Sequence, residues 1–137
     1  MPVLCDFTQV VGDAPVTIGD GRPVWERTFN TGGRRSGSPG FFIFNVRGLT
    51  YTNVDVNVKL NNKVVGKISR YGGLNTADKN ENAKYWYTQM VAFNGSDLKN
   101  GNNEVQIEAV GFPGSSPGNI FDDFQIKDMM CFFHQSA

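Results

Sequence analysis

Apolar and polar positions alternate most cleanly in the middle of the chain, where Val54, Val56, Val58 and Leu60 interleave with Asp55, Asn57, Lys59 and Asn61. A period of two sends successive side chains to opposite faces of an extended backbone, so this segment predicts a strand with one buried and one wet face. Asn61-Asn62 interrupts the pattern, and Lys63-Val64-Val65-Gly66-Lys67-Ile68 resumes it. Paired asparagines tolerate the positive φ of a two-residue hairpin turn, and residues 53–70 read as a β-hairpin. Residues 23–30, with Trp25 and Phe29, form a further strand, as do residues 105–109. Residues 41–46 are apolar and aromatic on both faces, the mark of a central strand. Residues 84–93 divide into a Trp86, Thr88, Met90, Ala92 face and a Tyr85, Tyr87, Gln89, Val91 face; Trp86 is expected in the core, with Tyr85 and Tyr87 outside. Residues 120–133 form a long strand in which Asp122-Asp123 is expected to mark a bulge or the strand entry.

Gly-, Asn- and Pro-rich loops separate these runs at 31–40, 72–83, 94–103 and 111–119. Asn94-Gly95-Ser96 matches a glycosylation sequon but stands where a turn is expected, and it is read as turn chemistry. No window carries a 3.6-residue period, so little or no helix is expected. About eight strands joined by such loops predict an all-β antiparallel sandwich or barrel, in one domain covering 1–137.

Charge changes the picture by exclusion. Lys and Arg number 13 and Asp and Glu 13, a formal net charge of zero, which removes a basic nucleic-acid footprint. The 14 Asn and 16 Gly supply turns, and 11 Phe, four Tyr and two Trp supply apolar mass. The longest apolar runs are four or five residues, too short for membrane insertion as a helix, and no basic leader precedes an apolar stretch. The expectation is a soluble chain without a signal peptide, an extracellular role being left open. Cys5 and Cys131 lie near opposite ends and read either as two buried thiols or as a disulfide between terminal strands.

From Val54 to Val110 the chain resembles the galactose-binding-domain-like jelly rolls. The resemblance rests on the alternating strand and hairpin VDVNVKLNNKVVGKIS and the aromatic strand YWYTQMV. Leu98-Lys99-Asn100-Gly101-Asn102-Asn103-Glu104-Val105-Gln106-Ile107 adds a turn into an alternating strand, and Phe121-Asp122-Asp123-Phe124-Gln125-Ile126 adds a final strand entered through paired acids. It implies a jelly-roll β-sandwich that works as a non-catalytic carbohydrate-binding module, an accessory domain or a structural unit. It also implies calcium at Asp122 and Asp123. Asp6, Asp13 or Asp20 and loop carbonyls would complete the six to eight oxygens calcium takes. A bulge with solvent-facing or turn-capping acids is the simpler reading of that dipeptide.

The chemistry in the sequence points away from catalysis. The single histidine, His134, is not accompanied by a Gly-x-Ser-x-Gly elbow, and neither phosphate-cradling glycine motif occurs. A glycan site needs an aromatic ring for the sugar C–H face and planar polar groups for its hydroxyls. Tyr71, Asn75, Tyr85 and Tyr87 are the candidates, with Arg34 and Arg35 placed to meet an acidic sugar or a partner carboxylate. Two functions follow. One is a lectin-like, carbohydrate-binding module without catalytic activity. The other is a structural or interaction subunit of a larger assembly, with the apolar Met129–Phe133 run available to a homo-oligomer.

Overall fold

A computed structural model describes residues 3–32, 37–49, 56–70, 84–109 and 123–136. Nine strands are found among them: β1 (Val3–Gln9), β2 (Val16–Ile18), β3 (Val24–Asn30), β4 (Gly40–Arg47), β5 (Val56–Leu60), β6 (Lys63–Ile68), β7 (Tyr87–Phe93), β8 (Asn102–Glu108) and β9 (Phe124–Ser136). One short 3-10 turn, Gly95–Asp97, follows β7. Five strands make one sheet, in the order β1-β9-β4-β7 with β2 also on β9, and four make the other, in the order β3-β8-β5-β6. Every pairing is antiparallel. This is the all-β sandwich expected from the alternation.

The core lies between the sheets. Phe42, Phe44 and Val46 of β4 and Phe124 and Ile126 of β9 face Trp25, Phe29, Val58, Leu60, Val105 and Ile107 of the smaller sheet, all at most 6% exposed. Phe29 meets Phe42 edge-on across the interior, centroids 5.8 Å apart at 86°, a favoured geometry for aromatic quadrupoles. β4 is indeed central, pairing with β7 on one side and β9 on the other.

Turn chemistry carries the connections. Asn61 and Asn62 take φ of 50° and 71° and close the β5–β6 hairpin. The Asn61 side chain accepts from the Glu104 N–H at 3.0 Å and donates to Asn103 Oδ1 at 2.9 Å. Asn103 is 2% exposed. Its amide donates to the Lys99 and Gly101 carbonyls at 2.9 and 3.1 Å and accepts from the Lys99 N–H at 2.7 Å. A buried amide is tolerated because its donors and acceptor are satisfied, and it ties the hairpin tip to the turn before β8. Gly95 presses against the Gly37 carbonyl so closely that a β-carbon would overlap it. The Asn94-Gly95 segment is therefore a packed turn.

The thirteen-residue strand β9 holds the five-stranded sheet together. Phe124 and Ile126 face the core, and so do Met129, Cys131 and Phe133. The first set is even-numbered and the second odd-numbered, which a regular strand forbids. The switch occurs at Asp128, which takes a φ of 54°. Across it the register with β4 passes from Ile43↔Met130 to Asn45↔Lys127, three residues of β9 for two of β4. That is a β-bulge. Asp123 stands at the strand entry, one of the two places expected for the acid pair, Asp122 is outside the described residues, and the bulge lies further along the strand.

Two further expectations are corrected. In β7 the inward residues are Val91 and Phe93, with Tyr87 packed beside the core on the same parity, while Thr88, Met90 and Ala92 are exposed. Phe93 against Phe42, centroids 5.2 Å apart, fixes this parity. Tyr87 therefore turns inward, its hydroxyl donating to the Ser69 carbonyl, and Trp86 stands outside the core, half-buried. The cysteines are both free, Cys131 buried and Cys5 exposed. Cys5 is paired with His134 and Cys131 with Thr8, so the thiols occupy opposite faces of the sheet and cannot bridge.

Two measurements check these points. Asp128→Gly should stay within about 1 kcal/mol of the parent in urea unfolding, whereas Asp128→Val, forced into the left-handed region, should lose a further ~1–2 kcal/mol. Burial pushes the Cys131 thiol up to about 12, so it carries almost no thiolate near neutrality. A thiol reagent at pH 8 should modify Cys5 alone in the folded protein and both cysteines in denaturant.

Candidate functional site

The outer face of the five-stranded sheet is organised in rows set by strand register. One row crosses three strands and ends on the residue just before β7. Thr17 of β2 is paired with Gln125 of β9, Gln125 with Arg47 of β4, and Arg47 stands opposite Trp86 by extension of the Val46↔Tyr87 pair. The row is bonded along its length. Gln125 donates to the Thr17 hydroxyl at 3.4 Å, and Arg47 Nη2 donates to Gln125 Oε1 at 2.6 Å. The Arg47 guanidinium carbon then lies 4.4 Å from the centre of the Trp86 ring. Guanidinium groups stack on aromatic faces through the ring quadrupole.

The next row is Lys127, Asn45 and Thr88. Lys127 Nζ lies 4.6 Å from the centre of the same Trp86 ring. Thr88 donates to Asn45 Oδ1 at 2.9 Å, and Asn45 donates to Asp128 Oδ2 at 3.2 Å. Two cations, an indole, two amides and two hydroxyls are thus gathered on one flat face. Neither Arg47 nor Lys127 is ion-paired among the described residues. Tyr85, 43% exposed, stands next to Trp86 in the chain.

Beyond these rows the face turns apolar. Met130, Ile43 and Met90 follow, then Phe7, Phe132 and Phe41. Phe41 and Phe132 stack at 4.9 Å and 18°, and Phe7 meets Phe132 at 5.7 Å. Phe7 is 60% exposed and Met90 56%. The outer face of the smaller sheet is different in kind: Glu26, Gln106 and Lys59 form one row, and Lys59 pairs with Glu108 at 2.7 Å.

Of the residues expected from sequence, Tyr85 lies beside this site and Tyr87 beneath it. Tyr71, Asn75, Arg34, Arg35 and Asp122 are outside the described residues. Asp123 is exposed, and its Oδ1 accepts the Asp20 N–H at 2.6 Å. Gly19, with a φ of 146°, lies so close that a β-carbon would overlap the Asp123 carboxylate. Asp123 therefore latches the 19–22 turn to the start of β9. Asp6 binds Gln135 near the opposite end of β9, away from Asp123. Among the described residues no three His, Cys, Asp or Glu side chains converge on a common point. Arg47, Lys127, Gln125 and Trp86 were not among the expected site residues. Their common signal is a long polar or amphipathic side chain at an outward position of a strand whose inward positions are strongly apolar.

Neither a protein-family model nor a curated protein matches the chain. Solved structures do. A native family 35 carbohydrate binding module from Clostridium thermocellum is 14% identical, with a TM-score of 0.53, and is aligned over 96% of this chain and 99% of its own. The β-porphyranase of glycoside hydrolase family 86 from Bacteroides plebeius is 17% identical with a TM-score of 0.53; the match covers 98% of this chain and 21% of the enzyme. Dimeric latent PorU from Porphyromonas gingivalis is 6% identical with a TM-score of 0.60, over 99% of this chain and 13% of that one. The chain thus spans about a fifth or less of those two large proteins and nearly all of the binding module. These likenesses are likenesses of fold: a jelly-roll β-sandwich. No helix among the described residues is long and apolar enough to cross a membrane.

Removing the Asp123 carboxylate breaks its charge-assisted bond from the Asp20 N–H. Asp123→Ala should cost about 1–2 kcal/mol in denaturant unfolding.

Proposed function

We propose that this chain is a non-catalytic carbohydrate-binding module whose glycan lies on the outer face of the five-stranded sheet. The observation that carries the proposal is the Trp86 row. A half-buried indole is fixed beside Arg47, Gln125, Asn45 and Thr88, the aromatic and planar polar set that sugar recognition uses. Arg47, Gln125, Asn45 and Thr88 stand on paired strands, with Arg47 bonded to Gln125 and Thr88 to Asn45, so little ordering of these side chains is left for a ligand to impose. A flat face of this kind fits a chain-like ligand. The fold shared with a carbohydrate binding module over nearly the full length of both chains supports the same reading. Tyr85 extends the aromatic surface from the end of the row.

A second reading, a structural or interaction subunit, draws on the apolar half of the face, where Phe7 and Met90 are more than half exposed. Exposed apolar patches of this type mark association surfaces. It would make the sheet face a contact between subunits, and sedimentation would then show association as concentration rises, weakened by Phe7→Lys.

The carbohydrate reading has a built-in reporter. Of the two tryptophans in the chain, Trp25 is 2% exposed and Trp86 is at the site. A bound oligosaccharide should change the emission of Trp86 and leave Trp25 silent. Trp86→Ala should abolish both the signal and at least ten-fold in affinity by calorimetry, with an unchanged circular dichroism spectrum. A parent protein that binds no member of a broad glycan panel would overturn the reading.

A further inference from the structure

The face around Trp86 contains more positive charge than a neutral sugar requires. Arg47 and Lys127 approach the same indole to 4.4 and 4.6 Å and have no carboxylate partner among the described residues. They are diagonal neighbours across β4 and β9, since Arg47 is opposite Gln125 and Lys127 opposite Asn45. Like charges gathered against one ring repel one another, and a surface cation–π contact returns only about 0.5–1 kcal/mol. A group that neutralises both would relieve the repulsion and gain charge-assisted hydrogen bonds.

We propose, resting on the carbohydrate reading above, that this pair is an oxyanion subsite: the glycan carries a sulfate ester or a carboxylate that docks between Arg47 and Lys127 while the sugar lies against Trp86. The surrounding contacts are consistent with a prepared site. Gln125 holds one guanidinium nitrogen of Arg47 and is itself held by Thr17, so the remaining donors of Arg47 have a fixed direction. The Asp128 carboxylate, the acid nearest in sequence to Lys127, accepts from the Asn45 amide. A strand-borne Arg offers a planar fork, and a Lys on the neighbouring strand offers a point charge from a second direction. Together they suit an anion whose oxygens diverge. A phosphodiester chain is the poorer candidate, because one pair of cations at a single ring matches one oxyanion and not an unbroken run of phosphates.

The test uses oligosaccharides of equal length in three forms, sulfated, uronate-bearing and neutral, titrated into the intact chain at 20 mM and 300 mM salt by calorimetry and Trp86 fluorescence. At low salt, at least one anionic form should bind ten-fold or more tightly than its neutral counterpart, and high salt should erase most of that advantage. The tighter of the two anionic forms identifies the oxyanion. In Arg47→Gln/Lys127→Gln the ratio of anionic to neutral affinity should fall to near one. Lys127→Gln alone should lower it partway, which keeps the test usable if the double variant folds poorly. Equal affinity for anionic and neutral forms, or a preference that survives the double substitution, overturns the oxyanion subsite and leaves the carbohydrate reading standing. Binding of no oligosaccharide in any form overturns the carbohydrate reading itself. Tighter binding of a single-stranded oligonucleotide than of every glycan overturns both.

Discussion

The kink in β9 at Asp128 is the constraint on which the larger sheet depends. β9 alone contacts β1, β2 and β4, and it must keep an apolar face inward for its whole length. Its sequence changes parity midway, Phe124 and Ile126 being even and Met129, Cys131 and Phe133 odd. Without the extra residue, one of the two sets would be turned to water. Several fully buried apolar side chains, at roughly 1.5–3 kcal/mol each, outweigh the cost of one non-glycine residue at positive φ. The backbone around the bulge finds partners as well: the Val10 and Val11 amides both donate to the Met129 carbonyl, and the Asp128 amide donates to the Gly12 carbonyl. The 10–12 segment thus serves as the strap that fills the interrupted ladder.

The same bulge sorts the outer face. On its N-terminal side β9 presents Gln125 and Lys127, and on its C-terminal side Met130 and Phe132. The neighbouring strand β4 changes in step, with Asn45 and Arg47 beside the polar residues and Phe41 and Ile43 beside the apolar ones. β7 repeats the division with Thr88 against Met90 and Ala92. Three strands from distant parts of the chain agree on where polarity changes. On the four-stranded sheet, by contrast, Lys59 and Glu108 pair with each other. A partly exposed pair of this kind contributes modestly to stability and leaves that face neutralised.

How much of this was legible in the sequence depends on the range of the interactions involved. The hairpin at Asn61-Asn62 was, because positive φ is a local demand that the two residues state themselves. The turn before β8 was legible for the same reason, with Asn103 bonding backbone two and four residues away. β4 was legible as a central strand because both of its faces are apolar. The orientation of β7 was not. Tyr85, Trp86 and Tyr87 put aromatic mass on both parities, and the decision came from Phe93 docking on Phe42, fifty-one residues earlier. The acid pair reads as a bulge or a strand entry and Asp123 is the strand entry, whereas nothing local distinguishes Asp128, where the bulge falls, from an ordinary outward residue. The site was least legible of all. Trp86, Arg47, Gln125 and Lys127 meet only through the β7–β4–β9 register, and register is a property of the folded sheet.

Residues gathered by register differ in kind from residues gathered on one loop. Gln125 is flanked by two backbone ladders, those of β9 with β2 and of β9 with β4, and its side chain joins Thr17 to Arg47. Rotating Arg47 away from the indole breaks its bond to Gln125, and moving Gln125 breaks its bond to Thr17. The row therefore moves as a unit or not at all, which is the condition under which a shallow surface can discriminate between ligands. A flat face buries too little of a small molecule to bind it by enclosure. Its selectivity must come from the positions of charge and ring, and those positions are fixed here by the bulge that set the strand register.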